Sequence, residues 1–291
     1  MLCGILPAFN HIPIKSNSEQ FYMSTVFCWN EREMDNLYES CRTDEVTDFI
    51  KKYLHQKEKT LESGCGSGRY VKFLHDSGWD IVGIEISKDT VDMVNEKWPH
   101  INVMQGDASN TKFEDNAFYN IISLGVVEHF TEGLEAPLKE MYRTLKEGGV
   151  ALITVPYLND IRRLKVKLWI YEIKKIRKAI SALIREGKKI KINRLNREYK
   201  YSVYPAYGDF FEYRLDKKQF ADAVSNAGFK IIEHTEIQNE GGLFYDLNPW
   251  GAIVKKTPTG TEFTKIGCAV DSILRRLNIA HGHSQLIIAT K

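Results

Sequence analysis

Apolar positions along this chain fall into two spacings that take turns. Short unbroken apolar runs, as in Ile81-Val82-Gly83-Ile84, Ile121-Ile122 and Val150-Ala151-Leu152-Ile153, read as strands buried on both faces. Between them, apolar residues recur every three or four positions, as in Val46, Phe49, Ile50 and Tyr53, the period of a helix with one buried face. The pattern predicts a helix from Thr43 to about Gln56, with Thr43 as N-cap, then a strand at Leu61 and a helix from Ser67 to Asp76 that stops near Gly78. It continues with a strand over Trp79–Glu85, a helix over Ser87–Lys97, a strand over Ile101–Gln105 and a fourth strand with its exit loop over Phe118–Phe130. A helix from Leu134 to Lys146, closed by Gly148-Gly149, leads to a fifth strand over Val150–Pro156. Further on come a helix from Asp216 to Ala227, a sixth strand over Phe229–Glu233, and a terminal strand, Ser284–Thr290, expected antiparallel at the sheet edge. Strict alternation of strand and helix implies an α/β fold, a doubly wound parallel sheet with its ligand at the carboxyl ends of the strands where strand order reverses.

Charge changes this picture in one place. Residues 161–200 hold 15 Lys and Arg against three Glu, a balance of +12, whereas the whole chain carries only +2 and the remainder −10. Val166, Trp169, Ile173, Ile176, Ile180 and Leu183 form an apolar stripe through the same stretch. Three readings compete: a cap over the active site with solvated lysines outside, a contact with an anionic membrane surface through about 161–185, or a polyanion site for RNA. The predicted divisions are an N-terminal lid or extension over 1–42, a cofactor-binding core over 43–157, a basic and aromatic insert over 158–214 that caps the substrate, and a C-terminal completion of the sheet over 215–291. The first of these carries few regular signals but many aromatics, among them Tyr22 and Trp29.

The 291 residues suit one large domain or one domain with an insertion, and an apolar fraction of 43% is ordinary for a globular chain. The five cysteines (Cys3, Cys28, Cys41, Cys65, Cys268) are scattered and form no C-x-x-C pair, which points to reduced thiols in a cytoplasmic protein. The apolar start, Met1 to Phe9, lacks a basic flank and is not read as a signal peptide, and no run approaches the ~20 residues of a membrane span.

The chemistry centres on Leu61-Glu62-Ser63-Gly64-Cys65-Gly66-Ser67-Gly68, a strand ending in a glycine-rich turn that opens a helix. Such a turn lets backbone approach a ligand and aims helix N–H groups at it. A phosphate-binding loop needs Lys-Ser/Thr after its glycines; here Arg69-Tyr70 follows. Glu62, ahead of the loop, suits a cationic or hydrogen-bond-donating group rather than a pyrophosphate. Glu85, at the end of the second strand, is placed to accept from both hydroxyls of a ribose, in a nicotinamide or another nucleoside cofactor, or else to sit as a helix N-terminal charge beside Ser87.

Glu62–Gly68 resembles motif I of the class I S-adenosylmethionine-dependent methyltransferases, and Gly106-Asp107-Ala108 and Phe118–Phe130 resemble its adenine motif and motif IV. The resemblance covers 43–157 well, and 211–235 and 284–290 loosely. It implies a Rossmann-like, mostly parallel seven-stranded sheet, S-adenosylmethionine as cofactor and S-adenosylhomocysteine as product. The cofactor residues it implies are Glu62, Gly64, Cys65, Gly66, Gly68, Glu85, Ile86, Asp107, Ala108, Leu124 and Gly125. Asn120 stands where the family usually has an acid, which weakens a contact near the strand start. Glu128-His129 matches the family's Glu-His pair; His129 is the catalytic candidate, either as general base or as a group that orients the substrate. Acceptor-lining candidates are Tyr22, Trp29, Tyr157, Tyr207, Phe211 and Tyr213. Relatives with Glu-x-x-Glu-His bind a metal; Gly125 replaces the first acid, so no metal is expected there, and His281-Gly282-His283 reads as a polar turn. The implied activity is methyl transfer to O or N of a small-molecule, glycan or lipid-linked acceptor, with RNA or protein methylation through the basic insert, and a non-catalytic cofactor-binding module, as alternatives.

Overall fold

The computed structural model describes residues 31–167, 199–204, 208–248, 251–257 and 260–291. Tyr22, Trp29, Tyr207 and the basic stripe from Trp169 to Leu183 lie outside the described residues. A seven-stranded sheet runs in the order β3-β2-β1-β4-β5-β11-β8. Its strands are β1 Thr60–Ser63, β2 Ile81–Glu85, β3 Asn102–Gln105, β4 Phe118–Leu124, β5 Leu145–Pro156, β8 Lys230–Ile237 and β11 Ser284–Thr290. β1 to β5 pair in parallel, and β11 lies antiparallel to both neighbours. β11 is therefore an interior strand between β5 and β8, not the edge the sequence suggested. Its residues Gln285 to Ala289 are buried, as an interior position requires.

Successive residues of the central strands feed opposite faces, following the two-residue period of a pleated strand. Ile122, Leu152 and Ile288 join Met34, Val46, Ile50, Tyr70, Leu74 and Val91 on one face. Ile121, Ile153 and Ile287 join Leu61, Phe118, Leu138, Met141 and Phe220 on the other. Each such aliphatic side chain taken fully out of water contributes roughly 1.5–3 kcal/mol, so the doubly covered sheet is the main source of stability.

Helices α1 Glu31–Ser40, α2 Glu45–Tyr53, α3 Arg69–Asp76, α4 Lys88–Lys97, α5 Glu135–Thr144 and α6 Asp160–Lys167 precede the antiparallel pair β6 Tyr199–Tyr204 and β7 Gly208–Tyr213. α1 is not signalled by an aromatic-rich reading of 1–42; Met34 and Leu37 nevertheless bury one of its faces. The cap of α2 is Asp44, whose side chain accepts from the Val46 amide at 3.1 Å, one residue after the expected Thr43. α5 ends at Thr144, and Gly148-Gly149 lie within β5, where the pairing with β4 is irregular. Asn120 is fully bonded: its side-chain oxygen accepts from the His55 amide at 3.0 Å, and its nitrogen donates to the His55 carbonyl at 2.8 Å and to Thr60 Oγ1 at 3.0 Å. A carboxylate cannot donate, so the departure from the family's acid fastens the strand start rather than loosening it.

After α7 Lys217–Asn226, capped reciprocally by Asp216 and Gln219, β8 leads to a part with no counterpart in the sequence reading. It comprises α8 Asn239–Leu247, the hairpin β9 Val254–Thr257 and β10 Gly260–Phe263, and α9 Lys265–Arg276. Leu243 and Val254 form its core and reach Ile161 of α6. Among the described residues no helix is long and apolar enough to cross a membrane.

Candidate active site

The predicted cofactor residues gather at the carboxyl ends of four adjacent strands, because parallel pairing ends β1, β2, β3 and β4 on one edge of the sheet. Ser63 of β1 is in register with Ile84 of β2, and Glu85 with Gln105 of β3. The glycine loop is closed by amides of Gly64 and Cys65 that both donate to the Ile84 carbonyl, at 3.0 and 2.8 Å. Gly64 has φ +79°, and a Cβ there would lie 2.5 Å from Val126 Cγ2 in the exit loop of β4. This position needs glycine on both counts. Glycine-loop backbone and motif IV are thus in direct contact.

Glu85 carries its carboxylate between two amides: Gly66 donates to Oε2 and Ser87 to Oε1, each at 3.0 Å. Burial raises its pKa while these two amides counteract the rise. Glu85 thus sits as a charge at the turn before α4, and its oriented oxygens retain further lone pairs. Glu62 is 3% exposed, and burial pushes its carboxyl up to about 8 although Arg69 opposes the shift. Its Oε2 has no hydrogen-bond partner among the described residues. A buried carboxyl oxygen without a partner costs roughly 1–3 kcal/mol, and it lies on the strand that enters the glycine loop.

In the sequence, Arg69 speaks only against a phosphate loop. It is buried, donating to Ser40 Oγ at 3.1 Å and pairing with Asp44 at 3.3 Å. Burial alone would raise the Asp44 carboxyl, but Arg69 and the Val46 amide hold it below its ordinary value. A single buried Arg thereby fastens the α1–α2 junction to the first residue of α3. Nothing in local patterning marks it, since an Arg opening a helix reads as exposed. Cys65 is buried and its thiol is pushed well up by burial, so it packs in the turn as a small side chain.

Asp107 closes its own turn, its Oδ1 accepting from the Ser109 amide and hydroxyl at 2.8 and 2.7 Å, with Ala108 buried beside it. Ile86 is half-buried and its carbonyl accepts from Gln105. A cleft of about 440 Å³ runs between Asp107, Ser109 and Asn110 on one side and Phe130, Gly133 and Ala136 on the other. Leu124 is buried, and Gly125 follows with φ +71°.

Beside this edge, His129 is 6% exposed and its Nδ1 lies 2.7 Å from the Phe211 carbonyl of β7. A carbonyl only accepts, so Nδ1 carries the proton and the lone pair of the neutral ring is on Nε2. Nε2 is 3.8 Å from Glu128 Oε1. Glu128 is 1% exposed, and burial lifts its carboxyl well above the usual range. β7 thus supplies the partner of His129, a link of 82 residues that spacing does not reveal. Phe211 is buried and its ring meets Tyr213 edge-on at 4.9 Å, while the Tyr213 hydroxyl donates to the Thr131 carbonyl at 3.1 Å. Tyr157 is buried at the end of β5, bridged to Leu215, and burial lifts its phenol to about 12. His281 and His283 face different partners, Asp271 at 2.8 Å and Arg162 at 2.7 Å, as parts of a polar turn.

The residues present fit S-adenosylmethionine on the strength of Glu62: its orphaned oxygen offers an acceptor for the amino group, and Glu85 offers oriented acceptors for ribose hydroxyls. Comparisons with known proteins agree. The model of a family described as "Methyltransferase domain" matches residues 61–153. A demethylmenaquinone methyltransferase of Chlorobaculum tepidum is 24% identical over 191 residues, covering 65% of this chain and 73% of that protein. The eEF1A lysine and N-terminal methyltransferase of Mus musculus is 31% identical over 114 residues, which are 37% of this chain and only 16% of that much longer protein. Among solved structures, a SAM-dependent methyltransferase from Methanosarcina mazei superposes with a TM-score of 0.51 at 18% identity, covering 84% of this chain and 96% of that one, a likeness of fold. Residues 61–153 are thus a methyltransferase domain, the sheet around them has the class I S-adenosylmethionine-dependent methyltransferase fold, and S-adenosylmethionine is the cofactor.

Proposed function

We propose that this chain transfers a methyl group to O or N of a small-molecule, glycan or lipid-linked acceptor. The observation that carries the reading is the buried, unpartnered Glu62 oxygen set on the same strand edge as an amide-held Glu85. When bound, S-adenosylmethionine supplies a methyl group already activated on a positively charged sulfur. The chain's part is then mostly positioning. Glu62 orients the amino end, the Gly64–Gly68 turn admits the ligand against backbone, Glu85 holds the ribose, and Asp107 with Ala108 borders the adenine. Holding donor and acceptor in line supplies much of the rate in such a transfer. His129, with Nδ1 oriented by the Phe211 carbonyl, is the group that takes a proton from the acceptor hydroxyl or amine or else orients the acceptor. The aromatic segment behind it, Phe211 and Tyr213 with Tyr157, forms the apolar side of the acceptor site.

A small-molecule acceptor is favoured by the extent of likeness. The demethylmenaquinone enzyme matches 65% of this chain, beyond the cofactor core, whereas the eEF1A enzyme matches 37%. The basic 161–200 stretch suits a cytoplasmic protein working beside an anionic membrane surface, and RNA or protein as acceptor is the second reading.

Two steps test this. Calorimetry with S-adenosylmethionine, S-adenosylhomocysteine and NAD is expected to give binding of the first two only. Methyl-labelled cofactor is then offered with separate pools of small molecules and lipids, of RNA and of protein. Label entering the first pool supports the proposal. Label entering only RNA or protein replaces it with the second reading, and binding without turnover on any pool leaves a cofactor-binding module.

A further inference from the structure

Outside the methyl-transfer site, one group of three side chains among the described residues is arranged as metal ligands: His75, Asp76 and His100. His75 and Asp76 end α3, and His100 stands just before β3. Sequence reading does not join them, because 24 residues separate the two imidazoles. Asp76 Oδ1 lies between them, 3.7 Å from His75 Nδ1 and 3.6 Å from His100 Nε2. The three ligand atoms lie within 4.8 Å of one another. Ligand atoms on a tetrahedral Zn²⁺, each about 2.0–2.1 Å from the ion, are roughly 3.3 Å apart. Small rotations of these partly exposed side chains close the difference. The rings meet at 58° with centroids 5.5 Å apart, so they are tilted and not stacked face to face.

The carboxylate is also held from behind. Asp76 Oδ2 accepts from Lys72 Nζ at 2.5 Å and from Tyr38 Oη at 3.0 Å, which leaves Oδ1 turned to the histidines. Lys72 is itself seated over the Tyr38 and Trp98 rings. Outer partners of this kind orient metal-ligating carboxylates. The carboxyl end of α3 adds its negative dipole end to the same spot. The Lys72 charge works against a cation, so an open three-ligand site of moderate affinity is expected rather than a closed structural one.

We propose that His75, Asp76 and His100 form a surface site for a borderline divalent metal of the Zn²⁺ type, with two imidazoles and one carboxylate as ligands and water completing the shell. The site lies at the amino ends of the strands, while the cofactor residues lie at the carboxyl ends. Its effect is to fasten the end of α3 to the start of β3, across the sheet edge, without touching the methyl-transfer chemistry.

The test uses the full chain, stripped of metal with a chelator and kept reduced, titrated with Zn²⁺ in competition with a chromophoric chelator. Wild type is expected to take up one equivalent saturably, with a rise in melting temperature. His75→Ala and His100→Ala are each expected to weaken uptake at least tenfold, and His55→Ala, outside the cluster, to leave it unchanged. S-adenosylmethionine binding is measured on all four proteins and is expected to be alike, which shows that the variants fold and separates this test from that of the methyl-transfer reading. No saturable uptake by folded wild type, or uptake equal in wild type and both cluster variants, overturns the proposal.

Discussion

The carboxylate of Glu85, ending β2, accepts a hydrogen bond at 3.0 Å from the amide of Gly66 in the loop after β1. Two segments of the proposed cofactor site are thereby locked to one another, with the Ser87 amide holding the other oxygen. Hydrogen bonds to charged groups are worth about 1.5–3 kcal/mol each. Glu85→Ala removes the acceptor for both amides as well as the proposed ribose contact. Affinity for S-adenosylmethionine, measured by calorimetry, is expected to fall at least tenfold. Unchanged affinity in a folded variant would remove Glu85 from the site.

Gly64→Ala tests the contact between the glycine loop and the β4 exit. The backbone at φ +79° costs a side-chain-bearing residue about 1–2 kcal/mol, and overpacking against Val126 adds about 1–3 kcal/mol. Urea unfolding is expected to show a loss of roughly 2–5 kcal/mol. Adding Val126→Ala relieves only the packing part, so the double variant recovers stability partially. Full recovery would mean that the left-handed backbone is not strained.

The buried Arg69–Asp44 pair predicts a large cost for breaking it. Both side chains are 4% exposed, and Arg69→Met leaves a buried carboxylate unpaired, a loss of about 3–5 kcal/mol. Asp44→Asn with Arg69→Met is expected to cost less than the two single changes together. Because the folded Asp44 carboxyl lies below its unfolded value, its contribution is present above about pH 4 and disappears as pH falls through the folded value. Chemical denaturation from pH 6 downward shows this loss in wild type and not in Asp44→Asn.

Glu62 gives the opposite sign. Its folded pKa of about 8 exceeds the unfolded value of about 4.3. Between these limits the folded protein holds a proton that the unfolded chain has released, so this group makes stability fall as pH rises, and the fall levels off above about pH 8. Glu62→Gln is expected to flatten that part of the stability profile. A cationic amino group beside Glu62 favours the ionised form, so cofactor binding near neutral pH is expected to release a proton. Calorimetry in buffers of different ionisation enthalpy reads that release, and it is absent in Glu62→Gln. Equal proton release in both proteins would detach Glu62 from the amino end.

Much of the site was legible in the chain because it is built from local backbone signals. Glycines at 64, 66 and 68 mark a turn, Glu62 and Glu85 end buried runs, and Asp107 follows the third. The Gly148-Gly149 misreading had the same local cause: a glycine pair after an amphipathic run suits a helix stop and an irregular strand equally. The second small core, with Leu243 and Val254, leaves little periodic signal in the sequence because α8 and the β9–β10 hairpin are short and only half-buried.

The sequence by itself determined the alternation of strand and helix, the glycine turn and the acids at strand ends, since these depend on hydrophobic period and on residues near one another in the chain. Tertiary structure alone decided what depends on which distant surfaces meet. β11 became an interior strand because both of its edges pair, with β5 on one side and β8 on the other. Arg69 became a buried tie because Asp44 and Ser40 close over it. His129 acquired its tautomer from the Phe211 carbonyl, and His75 and Asp76 met His100, because α3 ends beside the start of β3. Burial and long-range pairing set those properties, and neither is encoded in any single window of the chain.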